Sequence, residues 1–471
     1  MNETALTWII FILAFGGMVV VHELGHFIAA RLVKVEVEEF GIGFPTPGAV
    51  TLWVSPGYLL LRSGKRVEIP HNFRLPVLWS SLVDHEASLT IREKNGSLIL
   101  QAIEAVVREN ARGDSPASAE NTQNRPIKAG KAGDGTALTG VIAEVHPGTI
   151  FTLNWLPIGG FVRPKGENDP SVPGGLAAAA PWKRLFVLSA GPFMNLLTAV
   201  LVISLIISQM GGIIVSPPPD SNATQPLLIT EVVAGSPAEQ GGIQVGDILL
   251  TVNGQTLTSP ELLSQLIQSS LDTPLRLEVR RGSETLTLTV VPRLDAQAGK
   301  PKIGIGYCPG CEFKPIVSFT ETLVLSLQVT GAQIYALATL PIRLLRGSID
   351  PEQGRLIGLK GIFDIMSQSV SNDVEAAQTQ PSAPPSSAPN PNAPVQTLSL
   401  IALLSISLGI FNLFPFPALD GGRILFVLPE LIFRRRVPHK LENLVHGIGM
   451  ALLLILMIYV NVRDFIDPVI P

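Results

Sequence analysis

The chain has 471 residues, 46% hydrophobic and only 15% charged, a balance too apolar for an ordinary soluble protein and one that points to the membrane. Its formal net charge of −4 gives no ground for a nucleic-acid partner held by bulk charge. With two cysteines, Cys308 and Cys311, it is no disulfide scaffold, and its length allows more than one domain.

The chain opens on an apolar run from about Leu6 to Leu32. The run follows Met1-Asn2-Glu3 rather than a basic segment and is longer than the roughly 7–15 residues of a signal-peptide core. It reads as an uncleaved transmembrane helix, in the segment 1–34. Inside it, "VVVHELGHFIAA" (19–30) carries three ionisable groups, which are costly in lipid and usually have a use there. His22 and His26 stand four residues apart, on one face of a helix, the spacing that brings two imidazoles to one zinc ion. Glu23 lies beside them, placed to take a proton from water at the metal. Two interfacial histidines near a helix end would be the plain alternative, but that leaves Glu23 at the same depth unexplained.

Residues 35–182 read as a cytoplasmic or membrane-associated β region, with strand segments near 40–62 and 139–163 flanked by Gly and Pro. Within it, 88–110 is expected to form a hairpin around Asn95-Gly96 followed by a short helix. The polar, small-residue stretch 109–138 is expected to be a flexible insertion. A second transmembrane helix occupies 183–211. Residues 212–300 hold a compact domain whose alternating strands bracket a helical piece at 260–270. In the external region 301–376, "YCPGC" raises a redox or metal reading, but two cysteines cannot close a structural zinc site of four thiolates; a local disulfide between Cys308 and Cys311 is preferred to that, and an incidental pair to both. The amphipathic stretch 316–346 is expected to lie in or near the interface. A Pro/Ser-rich linker follows at 377–396, and 397–471 hold the third (398–414) and fourth (444–462) spans.

Arg31 and Lys34, Lys183 and Arg184, and Arg423, Arg434, Arg435, Arg436 and Lys440 place loops 33–184 and 415–443 on the cytoplasmic side and 211–396 outside. A crossing by 316–346 would put the arginine-rich loop outside, so four spans are expected. A catalytic zinc needs a third protein ligand and an open position. None follows His26 at close spacing. The best candidate is Asp420 in "FNLFPFPALDGGR" (411–423), just past the third span and on the same side as the histidine pair. Alone, Asp420 could equally be a helix cap or a turn residue before Gly421-Gly422.

Together, "HELGH" (22–26), "NLFPFPALDGG" (412–422) and the domain between them resemble the site-2 protease family of intramembrane zinc metalloproteases, in its bacterial regulator-of-sigma-E-protease type with a PDZ domain. "GIGFP" (41–45), "LPIGGFVRPKGEND" (156–169) and "KRLFVLSAGPFMNLLTAV" (183–200) extend the resemblance. It implies a polytopic α-helical membrane protein of about four transmembrane helices, with a membrane-associated β-hairpin or sheet and an external α+β PDZ domain, to which "GSPAEQGGIQVGDILLTVNG" (235–254) is similar. It further implies Zn2+ held by His22, His26 and Asp420, Glu23 as general base, and Asn412 holding the substrate backbone. Expected substrates are transmembrane segments of membrane-anchored proteins, such as anti-sigma factors or signal-peptide remnants, in a plasma membrane with the active site toward the cytoplasm. An unwound substrate needs replacement backbone hydrogen bonds, and a strand edge at 151–162 or 50–62 could supply them.

"RLIGLKGIFDIM" (355–366) departs from the family's Gly-Pro-x-Gly-Ile pattern at Leu359-Lys360, and an insertion at roughly 63–138 is another departure from it. The competing reading is a catalytically silent scaffold that binds protein tails through the PDZ domain, against which stands the presence of all of His22, Glu23, His26 and Asp420. A metal transporter would need more polar residues within the spans, where Asn195 and His446 are the exceptions.

Overall fold

The structure, a computed structural model, describes residues 3–46, 48–73, 75, 79–94, 96–109, 123–130, 135–156, 159–167, 169–215, 226–233, 235–257, 259–282, 284–294, 299–316, 318–347, 355–379 and 393–468. In chain order, helix α1 (Glu3–Leu32) precedes strands β1 (Val37–Ile42), β2 (Val50–Val54), β3 (Gly57–Leu61), β4 (Arg66–Ile69), β5 (Glu86–Lys94), β6 (Ser97–Glu109), β7 (Gln123–Gly130), β8 (Thr136–His146), β9 (Ile150–Leu153) and β10 (Gly160–Pro164). Helix α2 (Pro181–Met210) leads through β11 (Gly212–Val215), β12 (Leu227–Val232), α3 (Pro237–Gln240), β13 (Ile248–Val252), β14 (Gln255–Thr256), α4 (Pro260–Gln268), β15 (Leu275–Arg281) and β16 (Glu284–Val290). Then come the short pair β17 (Arg293–Leu294) and β18 (Pro301–Lys302), followed by β19 (Ile305–Pro309) and β20 (Glu312–Pro315). Helices α5 (Phe319–Leu345), α6 (Leu359–Thr379), α7 (Gln396–Leu413), α8 (Asp420–Phe433) and α9 (His439–Ile466) complete the chain.

Five of the described helices (α1, α2, α5, α7 and α9) are long and apolar enough to cross a membrane. That is one more than the four spans expected, the addition being α5. Length and composition qualify α5, which also carries Ser, Thr and Gln along a run of Leu, Val, Ile and Ala. The chain divides into two compact units, residues 1–197, 350–363 and 405–471 in one and 198–349 and 364–404 in the other.

The first unit holds two sheets. A four-stranded sheet runs in the order β10-β1-β9-β2, antiparallel except for the parallel pair β1–β9. Phe27 of α1 meets Phe40 and Phe151 on it, with ring centroids 5.4 and 5.7 Å apart. Ala29, Ala30, Val33, Val35, Val37 and Val187 form the buried cluster that joins the end of α1 to the start of α2. At Gly25 a Cβ would stand 2.4 Å from the carbonyl oxygen of Ala190, so these two helices approach as closely as only a small residue permits.

The second sheet, β4-β3-β8-β5-β6-β7, has its own core, including Leu59, Leu61, Leu89, Leu100, Ile103 and Ile142. Here the structure corrects the reading of 88–110. The hairpin is present, but Ser97–Glu109 continues as one strand instead of turning into a helix. Pairing with β5 on one side and β7 on the other outweighs the helical propensity of its Ala, Leu and Glu residues. Of the stretch expected to be a flexible insertion, 123–130 and 136–138 are strand; 110–122 and 131–134 lie outside the described residues. Chain enters and leaves this sheet through one neck. Ser55 N–H donates to Thr149 O at 2.9 Å, Thr149 N–H donates to Ser55 Oγ at 2.7 Å, and Gly148 lies so close to the Ser55 carbonyl that a Cβ would overlap it.

In the same unit, α9 fixes the segment before α6. Asp464 is fully buried and accepts from Gly358 N–H at 2.6 Å and Gly361 N–H at 3.2 Å while pairing with Arg355 at 3.2 Å. Arg184 of α2 pairs with Glu430 of α8 at 2.7 Å.

The second unit contains the sheet β16-β15-β13-β12-β19, with β14 on β13, over a core of Leu227, Ile229, Leu249, Leu263, Leu277 and Val279. Helices α3 and α4 each start on a serine cap, Ser236 and Ser259, followed by proline, the pairing that satisfies free N–H groups at a helix start. The expected helical piece at 260–270 is α4. Buried Asp247 takes two hydrogen bonds from Arg281, at 2.8 and 2.7 Å, and one from Gln244 N–H at 2.9 Å. Cys308 and Cys311 are joined as a disulfide, where the sequence reading preferred an incidental pair; the antiparallel pairing of β19 with β12 and of β20 with β11 leaves the two cysteines on either side of one tight turn. Of the linker 377–396, residues 380–392 lie outside the described residues.

Candidate metal centre

The centre is assembled from three helices of the first unit. The 3.6-residue period of α1 stacks His22 and His26 one turn apart, and their Nε2 atoms stand 3.2 Å from each other. Asp420, the first residue of α8, brings Oδ2 to 3.1 Å from His22 Nε2 and 3.3 Å from His26 Nε2. These three are a group of the described residues whose ligand atoms could hold a metal. Burial opposes ionisation of Asp420, but the two imidazoles outweigh it and hold its carboxyl well below the usual carboxylate range.

The "PALDGG" residues explain how Asp420 is aimed. Ala418 adopts a left-handed φ of 79°, and its N–H donates to His446 Nδ1 of α9 at 2.8 Å. The turn then starts α8 directly under itself. A Cβ at Gly421 would lie 2.2 Å from Phe414 O, and one at Gly422 would lie 2.3 Å from Phe416 O. Only two glycines let the helix begin this tightly, and the tight start delivers Asp420 to the histidines.

Glu23 stands next to the cluster. Its Oε2 accepts from the N–H of Val162 in β10 at 3.0 Å, so the sheet edge fixes the carboxylate. The segment 151–162 thus contributes β9, the start of β10 and the bond to Glu23; residues 157–158 lie outside the described residues. The segment 50–62 contributes β2, the opposite edge of the same sheet, and β3. Asn412 is not drawn into the cluster: its Nδ2 donates to Leu408 O of its own helix at 2.9 Å.

Helix α2 supplies a part that the sequence reading left unassigned. His26 Nδ1–H donates to Val187 O at 2.8 Å, and the amide of Asn195 lies 3.1 Å from His22 Nδ1. Between them, a Cβ on Gly191 would come within 2.4 Å of His26 Nε2 and 2.8 Å of His22 Nε2. Gly191 therefore keeps open the space the three ligand atoms face. The signal was the spacing of Gly191 and Asn195, i and i+4 within "AGPFMN", which puts both on one helix face.

The profile of peptidase family M50 matches residues 10–54 and 133–456, leaving out most of the second sheet of the first unit. A Clostridium perfringens protein named as a zinc metalloprotease is 30% identical over 322 residues, 68% of this chain and 85% of its own length. The regulator of sigma-W protease RasP of Bacillus subtilis is 25% identical over 477 residues, 97% of this chain and 98% of its own. Among solved structures, the PDZ domain of an SdrC-like protein from Listeria innocua aligns with 17% of this chain and 92% of its own at 20% identity, with a TM-score of 0.17. The family profile resumes at residue 133, ahead of β8, and runs through Asp420, and the RasP relative aligns over nearly its whole length. This multi-pass membrane chain belongs to peptidase family M50, the site-2 protease family.

Proposed function

We propose that the protein is a zinc-dependent intramembrane endopeptidase that cleaves transmembrane segments of membrane-anchored proteins. The observation that carries this is the meeting of His22, His26 and Asp420, residues 398 apart at the extremes, beside a carboxylate on the same helix. The donor set fits zinc. Three corners of a tetrahedron with bonds of about 2.0–2.1 Å lie about 3.3–3.4 Å apart, against 3.1, 3.2 and 3.3 Å here. The gap kept by Gly191 supports the same choice.

In this reading His22, His26 and Asp420 hold the ion. Zinc, when bound, supplies Lewis acidity toward water and the peptide carbonyl. Glu23, held through Oε2 by Val162 N–H, takes the proton from attacking water and returns it to the leaving amine. The four-stranded sheet offers its edges to a substrate unwound at the scissile bond, whose backbone groups need partners in lipid. Asn412 offers its amide to the same backbone, exchanging its bond to Leu408. The segment 226–293 acts as a PDZ domain outside the membrane. Substrates of the anti-sigma-factor or signal-peptide-remnant kind fit this scheme, as the name of the RasP relative suggests.

Helix direction supports four spans, and the basic residues of loops 33–184 and 415–443 support a site toward the cytoplasm. The last turns of α1, the first half of α2 and the end of α7 must lie at one depth, because His22, Gly191, Asn195 and Asp420 meet there. Helices α1 and α7 then run the same way and α2 the opposite way, so an even number of crossings separates α2 from α7. Since α6 is not among the candidate spans, α5 lies along the interface.

The test is cleavage of a single-span substrate in liposomes by wild type and Glu23→Gln, with zinc measured on both. A variant that keeps zinc and loses cleavage by about 10²–10⁴-fold supports the proposal. Wild type that holds no zinc and cleaves nothing after zinc is supplied leaves the scaffold reading.

A further inference from the structure

The two histidines are held from behind by unlike groups. His26 Nδ1 meets the carbonyl of Val187 at 2.8 Å. A carbonyl can only accept, so it fixes the proton on Nδ1 and leaves Nε2 as a lone pair facing the cluster. His22 Nδ1 meets a primary amide, which can accept or donate. As it stands, Asn195 Nδ2 lies 3.1 Å from that nitrogen. A donating amide places the His22 ring proton on Nε2, 3.1 Å from Asp420 Oδ2. A metal on Nε2 needs the opposite tautomer, with the proton on Nδ1 and an acceptor behind it.

That acceptor is already in the site. Asn195 is fully buried, and its Oδ1 has no hydrogen-bond partner, although buried polar atoms are nearly always paired. A half-turn of the amide exchanges Nδ2 for Oδ1 opposite His22 without moving the backbone, whose carbonyl is tied to Ser405 Oγ–H at 2.8 Å.

We propose that Asn195 is a positioning residue for His22, donating to Nδ1 when the centre is empty and accepting from Nδ1–H when it is filled. The proposal rests on the zinc reading above. It gives the face of α2 two tasks, room for the ion at Gly191 and orientation of a ligand at Asn195. A polar residue serving only to join two membrane helices would not depend on whether its side chain can accept.

The experiment measures zinc affinity of the full-length protein in detergent by competition with a chelator, for wild type, Asn195→Asp and Asn195→Leu. Thermal unfolding of each is followed without metal. Asp keeps the acceptor and Leu removes it. The expected result is affinity 10–100-fold weaker for Asn195→Leu, the usual effect of losing a partner behind a metal-bound histidine, with Asn195→Asp matching or exceeding wild type. Asn195→Leu binding zinc like wild type overturns the proposal, as does Asn195→Asp binding as weakly as Asn195→Leu. Wild type that binds no zinc overturns the zinc reading itself, and the proposal with it.

Discussion

Gly191→Ala separates the metal centre from the fold that carries it. A new Cβ would stand 2.4 Å from His26 Nε2 and 2.8 Å from His22 Nε2, where ordinary contact begins at 3.4 Å. By difference, the His26 nitrogen must retreat 1.0 Å and the His22 nitrogen 0.6 Å. Metal sites tolerate roughly 0.2 Å in each bond, so both ligands leave the usable range. The atoms that yield are the tips of side chains, so the helices need not separate. Inside a helix, alanine is favoured over glycine by about 1 kcal/mol. The expected outcome is a metal-free protein at least as stable as wild type to heat, with zinc affinity reduced by more than about 100-fold, beyond the loss of an outer partner, and no cleavage. Chelator competition reads the affinity and detergent unfolding curves read the stability. Gly447→Ala, where nothing lies within 4 Å of a new Cβ, should change neither. Wild-type zinc affinity in Gly191→Ala would refute the reasoning, because it would place the ion elsewhere.

Asp464→Ala strands the N–H groups of Gly358 and Gly361 and leaves Arg355 with Asp467 alone; two buried donors left unpaired cost about 2–6 kcal/mol, read as a lower unfolding temperature and faster proteolysis between 355 and 379. Asp247→Ala removes the partner of Arg281 and the acceptor for Gln244 N–H. Arg281 is a third exposed and keeps Gly242 O, so the change should cost about 1–3 kcal/mol and speed amide exchange across 227–303 while leaving zinc affinity untouched. Stripping zinc with a chelator should abolish cleavage, and added zinc should restore it; cleavage that persists without metal would contradict the mechanism.

The parts legible in the sequence were those set by local period or by turn chemistry. Four apolar runs, the i, i+4 histidines and the strand–helix alternation of 227–290 each announce themselves within a few residues. Asp420 was legible through depth: the end of a span and a basic loop put it beside histidines far away in the chain. The strand at 97–109 was not, because its conformation is decided by partners on both sides rather than by its own propensity. Asn195 was seen only as a polar exception in a span. What it touches depends on how closely α1 approaches α2, a distance that Gly25 and Ala190 set together and that neither residue reveals alone. Asn412 shows the converse, a motif residue whose amide is held by its own helix.

The neck at Ser55 and Thr149 makes the inserted sheet a cartridge. Its core is closed on itself, and the chain enters and leaves it by two adjacent backbone passages, braced by Asn72 against Val54 and His146 against Glu36, so the ties to the four-stranded sheet gather at one seam. The seam also has a mechanical side. One passage continues from β2, an edge strand, and the other into β9, which pairs with β1 and β2. A load on the cartridge is therefore delivered as tension on two neighbouring strands of the sheet whose far edge holds Glu23.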